Sequence, residues 1–260
     1  MLLIISPSKT QSFSTHVLEP YSFPALLDHT CQLIELLREL DVNQIGDVMK
    51  TSSKLSQSSW QSFQDFRVPF NADNAKQALL AFKGDVYSGI RTEQYSEKDF
   101  QFAQNHLRIL SGLYGILKPL DLIQPYRLEM STSITTSRGK NLYFFWGDLL
   151  TSEVNKVLDS FSDPVLVNLA SQEYFKALLP GQLKGRIVNV AFKEMKNEVY
   201  RIVAIHAKRA RGKMVDFVIT NRLRNVNDLV SFSEDGYQFN EVLSSSSDIV
   251  FCRGEKMSCN

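Results

Sequence analysis

Cysteine is scarce in this sequence: Cys31, Cys252 and Cys259 in 260 residues, with no CxxC pair. So sparse and odd a count excludes a disulfide-stapled secreted scaffold and suits a reduced cytoplasm. The four histidines, His16, His29, His106 and His206, show no metal-ligand spacing. Neither a resident metal nor a cofactor is therefore expected, and His106 reads as a packed residue. Nowhere is the chain apolar for long enough to span a membrane, and MLLII before the first serine is too short for a signal peptide. Missing too are the Walker A glycines, a GxGxxG fingerprint, a GxSxG elbow and a cysteine-centred nucleophile motif. With no recognised catalytic motif, a binding protein is favoured over an enzyme.

What is present is enough apolar material for a core, 43% of all residues. The expected fold is mixed α/β, one compact domain over residues 1–260, with a helix-rich first half and a mixed sheet in the second. Leu2-Leu3-Ile4-Ile5 reads as a buried strand. Helices follow over about 26–40, over 41–49 with an Asp41/Gln44 capping box, over 71–82, and over 96–110 opened by Ser96 and Asp99. Later come strands over 164–170, 187–192 and 199–207, and helices over 171–178 and 213–222.

Net charge is +1, but it is unevenly spread: residues 184–224 carry 11 Lys and Arg against 3 Asp and Glu. A locally basic segment attracts polyanions whatever the net charge, although a solvated face would look the same.

Four constellations could carry chemistry. Ser6-Pro7-Ser8-Lys9-Thr10 follows a strand and offers hydroxyls, amides and a cation to a phosphate or carboxylate, or is an ordinary polar turn. Asn168, Ser171, Glu173 and Lys176 mark a strand feeding a helix; Ser171 and Glu173 either face a ligand or cap the helix and complement its dipole. Lys208, Arg209, Arg211 and Lys213, four cations in six residues, read as a basic turn facing phosphates or solvent. Arg127 and Glu129, two apart in an extended segment, share a face and either project together into a cleft or form a surface ion pair. Ser8, Lys9, Arg127, Glu129, Asn168, Ser171, Glu173 and Lys176 together would make a pocket for a phosphate-bearing small ligand. A fifth stretch, Gly112-Leu113-Tyr114-Gly115, is either a structural corner or a hairpin that grips a partner.

Several stretches, in order along nearly the whole chain, carry a resemblance: LIISPSKT, AFKGDVYSG, FAQNHLRILSGLYGILKPLDLIQPYRLEM, FWGD, NLASQEYFK and AKRARG. Together they resemble the YaaA family of bacterial peroxide-stress proteins. The resemblance implies a cytoplasmic DNA-binding protein that limits oxidative DNA damage and intracellular free iron. It also implies a helix-hairpin-helix element and a positively charged cleft. On that reading Gly112 and Gly115 belong to the hairpin, flanked by Arg108 and Lys118. Lys208, Arg209, Arg211 and Lys213 would contact phosphates of double-stranded DNA, without strong sequence preference.

Overall fold

The computed structural model describes residues 1–14 and 19–254, so His16 and Cys259 lie outside the described residues. The main sheet has eight strands: β1 (Leu2–Ile5), β2 (Leu107–Ser111), β3 (Gly115–Leu117), β4 (Val165–Asn168), β5 (Arg186–Lys196), β6 (Val199–Arg201), β7 (Gln238–Phe239) and β8 (Asp248–Arg253). Their order in space is β7-β8-β5-β4-β1-β2-β3, with β6 hairpinned onto β5. β1 lies between β2 and β4 and runs parallel to both. A parallel strand paired on both sides is covered on both faces, which is why all four of its residues are apolar and buried.

The chain leaves β1 for one side of the sheet, through β2 and β3, and then crosses to the other side at β4. The boundary between β1 and β4 is therefore a topological switch point, where the loops after the two strands diverge and leave a crevice.

Besides two short helices, Ala78–Ala81 and Leu142–Trp146, there are α1 (Leu27–Arg38), α2 (Val42–Met49), α3 (Ser53–Asp65), α4 (Glu97–His106), α5 (Leu149–Leu158), α6 (Gln172–Phe175) and α7 (Ala204–Thr220). Two of them start as their sequences foretell. Asp41 Oδ1 accepts from the amides of Asn43 and Gln44 at 2.8 and 2.9 Å, while Gln44 Oε1 accepts in return from Asp41 N at 2.8 Å. Ser96 and Asp99 close the same box on α4. One apolar core runs from Met1 to Phe251 and joins both halves of the chain. Among the described residues no helix is long and apolar enough to cross a membrane.

The mixed α/β class is as expected, but three boundaries differ. The helix expected over 71–82 shrinks to Ala78–Ala81, because Asn71 Oδ1 accepts from the amides of Asp73 and Asn74 and holds a turn instead. The helix expected to reach 110 stops at His106, and Leu107–Ser111 becomes β2, so the sheet draws three strands from the first half. The strand expected over 199–207 ends at Arg201, and α7 begins at Ala204, which puts the basic segment on a helix and not in a turn.

The hairpin at the glycines also needs correcting. Residues 107–117 form two antiparallel strands with Ser111 opposite Gly115, so no helix-hairpin-helix stands there. Every residue of it is buried. A Cβ on Gly112 would lie 2.3 Å from the carbonyl oxygen of Leu128. Gly115 has φ +69° and its Cβ would meet Leu150 and Trp146. Trp146 Nε1 donates to the Gly112 carbonyl at 3.0 Å. The stretch is a corner inside the core.

Candidate functional site

The crevice at the β1/β4 boundary is a cleft of about 560 Å³. Its walls come from 6–11 after β1, from 169–174 after β4, from the loop 84–87, from 126–129 and from two side chains of α7. Ser6, Ser8, Lys9, Arg127, Glu129, Ser171, Glu173, Lys208 and Arg211 all line it, drawn from all four of the constellations found in the sequence.

Ser6 and Ser171 join the two strand ends. Ser171 N donates to Ser6 Oγ at 2.8 Å, and that hydroxyl donates on to Ser171 Oγ at 3.2 Å. Ser171 has the extended backbone of an N-cap, yet its side chain makes no capping bond to α6. Its hydroxyl is turned toward Ser6 instead. Tyr87 OH fixes the same turn by donating to the Ser6 carbonyl at 3.0 Å.

Three carboxylates line the same cleft, Asp85, Glu129 and Glu173. Glu129 Oε1 receives Lys9 Nζ at 2.7 Å and an Arg127 terminal nitrogen at 3.4 Å. Glu173 Oε1 accepts from Ser131 N at 3.1 Å and from Ser131 Oγ at 2.9 Å. Arg127 Nε is buried with no hydrogen-bond partner among the described residues.

The third wall is α7. Lys208 and Arg211, three apart, stand on one side of the helix and line the cleft. Arg209 is exposed and does not line it, while Lys213 pairs with Glu234 at 3.7 Å and with Asp235. The basic cluster of the sequence is thus split, with only half of it turned to the cleft. Arg211 Nε is buried and has no hydrogen-bond partner among the described residues, and burial lowers the pKa of its guanidinium from the usual arginine value. No ion pair among those residues offsets that burial, so an incoming anion would gain a charge-assisted bond without breaking one.

The two glycines that set α7 in place end the stretches AFKGDVYSG and AKRARG, but neither is read as a packing site in the sequence. A Cβ on Gly212 would lie 1.8 Å from the Val86 carbonyl oxygen, and one on Gly89 would lie 2.7 Å from that of Arg209. The helix therefore packs backbone to backbone on the loop 86–89. The available signal is a glycine inside a run of good helix formers, which marks close approach as readily as a turn. Tyr87, Tyr126 and Tyr174, which line the inner wall, also escape a reading that looks only for polar constellations.

Other candidates stand elsewhere. Asn168 Nδ2 donates to Asn189 Oδ1 at 3.0 Å and its own Oδ1 accepts from Ala170 N, a brace between β4 and β5. Lys176 Nζ sits 5.1 Å above the Tyr143 ring. Lys118 is exposed, outside the cleft. Arg108 is buried, donates to the carbonyls of Gln104 and Leu107, and has its pKa pushed down to about 10 by that burial. Arg108, Gly112 and Gly115 are thus core residues out of reach of a DNA backbone. His106 is packed, stacked 4.1 Å from Phe102 and 5.3 Å from Phe161, with Nδ1 2.8 Å from the Met1 carbonyl.

The family model described as "Peroxide stress protein YaaA" matches residues 1–243. The chain belongs to the YaaA family of peroxide-stress proteins. A UPF0246 protein of Acaryochloris marina (strain MBIC 11017) is 55% identical over 253 residues, covering 97% of this chain and 100% of that relative. In this YaaA-family chain the matched span includes every wall of the cleft.

Proposed function

We propose that the protein acts in the cytoplasm during peroxide stress by binding double-stranded DNA through phosphate contacts, with a backbone phosphate held in the cleft by Lys208 and Arg211. The observation that carries this reading is Arg211: it lines a concave site at the ends of two parallel strands, and its Nε is buried with no hydrogen-bond partner among the described residues. Lys208, on the same helix, also lines the cleft and adds to the positive potential, while Lys9 and Arg127 there are engaged with Glu129. Membership of a peroxide-stress family supports the biological setting. Phosphate contacts position a duplex without reading its bases, so little sequence preference is expected. In this role the protein shields DNA from oxidative damage. Among the described residues no group of three or more His, Cys, Asp and Glu side chains could hold a metal ion. Any lowering of free iron is therefore assigned an indirect route.

Duplex titrations at about 50 and 200 mM salt test the reading. The double variant Lys208→Ala, Arg211→Ala should lose about 1–3 kcal/mol of affinity, and its salt slope should flatten by about one for each phosphate it no longer neutralises. An unchanged slope rejects the cleft as the phosphate site.

A further inference from the structure

The cleft is not uniformly cationic. Lys208 and Arg211 enter from α7, while Asp85, Glu129 and Glu173 enter from the loop 84–87, from the segment after residue 126 and from that after β4. Glu129 and Glu173 are each engaged through one oxygen. Lys9 and Arg127 reach Oε1 of Glu129, and both Ser131 bonds fall on Oε1 of Glu173. Among the described residues the second oxygen of each makes no bond, and neither does Arg211 Nε. Such a site suits a ligand with two unlike ends. A bare phosphate would satisfy the cations and be repelled by the carboxylates, whereas a phosphate joined to a hydroxyl- or amino-bearing ring would satisfy both. Tyr87, Tyr126 and Tyr174 give the wall between them an aromatic character, which favours a planar apolar body over a flexible chain. The volume, about 560 Å³, falls within the range of small-molecule sites.

We infer that the cleft accepts a single nucleotide unit of the nucleoside-monophosphate class. The phosphate lies against Arg211 and Lys208, and the sugar hydroxyls or base amino group donate to Glu129 and Glu173. This rests on the reading of the cleft as a phosphate site and adds the identity of what the phosphate is attached to. The same unit could arrive free or as the terminal nucleotide of a DNA strand.

Calorimetric titration of the full chain with inorganic phosphate, adenosine and AMP tests it. AMP should bind at least about tenfold more tightly than either phosphate or adenosine, as expected when both ends contribute. Arg211→Ala should weaken AMP and phosphate alike. Glu173→Gln and Glu129→Gln should shrink the preference for AMP over phosphate. AMP binding no tighter than phosphate, with Arg211→Ala still weakening both, overturns the nucleotide assignment and keeps the phosphate site. Phosphate and AMP binding that Arg211→Ala leaves unaltered overturns both. Competition between AMP and a short single strand carrying a 5′-phosphate assigns the unit to strand ends, and absence of competition assigns it to the free nucleotide; either result supports the inference.

Discussion

The amide of Ser171 donates to the hydroxyl of Ser6 across 2.8 Å, tying the residue after β1 to the start of α6 over a sequence separation of 165. Neither residue is fully buried.

Removing that hydroxyl gives the first prediction. Ser6→Ala leaves the Ser171 amide without its acceptor, a loss of about 1 kcal/mol for a partly buried group. For a chain of this size the melting temperature should fall by about 2–4 °C. Phosphate affinity should fall as well, since both walls lose their common anchor. A variant that melts and binds like the parent would show the bond to be incidental.

The close approach of α7 gives the second. Gly212→Ala places a methyl 1.8 Å from the Val86 carbonyl oxygen, a position that only displacement of the helix can relieve. Overpacking of this kind costs about 1–3 kcal/mol. The displaced helix carries Lys208 and Arg211 with it, so urea denaturation and phosphate titration should both register the change. Gly181→Ala, with nothing within 4 Å of the added Cβ, is the control and should alter neither. Equal stability and binding in the Gly212 variant would refute the close packing.

Asp121 supplies a pH dependence. It is 1% exposed; Oδ1 accepts from Ser22 Oγ at 2.6 Å and Oδ2 from Lys118 N at 2.8 Å. Burial outweighs these bonds and raises its pKa from 3.8 to about 6. The folded chain thus binds this proton more tightly than the unfolded chain. Its contribution to stability is greatest below pH 3.8, declines as pH rises to about 6, and is level above that. Relative to Asp121→Asn, the parent should lose about 2–3 kcal/mol between pH 4 and pH 7. Denaturant melts of both proteins across that range check it, and a constant difference would contradict the assignment.

The polar parts of the cleft are legible in the sequence and the helix limits less so. Ser6–Thr10 and Ser171–Glu173 stand where apolar runs stop, so their place at strand ends can be read directly. Their mutual approach cannot, because it depends on the sheet order β4-β1-β2, which no local pattern encodes. Leu107–Ser111 reads as helix because a short apolar run buried on both faces shows neither periodicity clearly. Gly212 suggests a turn in a segment otherwise made of good helix formers, when what it supplies is absence of bulk against Val86. Gly112 and Gly115 resemble a gripping hairpin for a related reason: a glycine marks an unusual backbone need, and sequence alone does not say whether core or ligand imposes it.

The cleft borrows from Ser6 and from Arg211, with walls from the segments 84–87, 126–129 and 169–174 lying between them in the sequence. During synthesis on a ribosome, β1 emerges early and must wait for β4 and then α7 before the site is enclosed. Pairing across such separations is slow to form, because loop closure precedes any gain from contact. A nascent or truncated chain ending before α7 therefore lacks Lys208 and Arg211, and with them the α7 wall of the cleft.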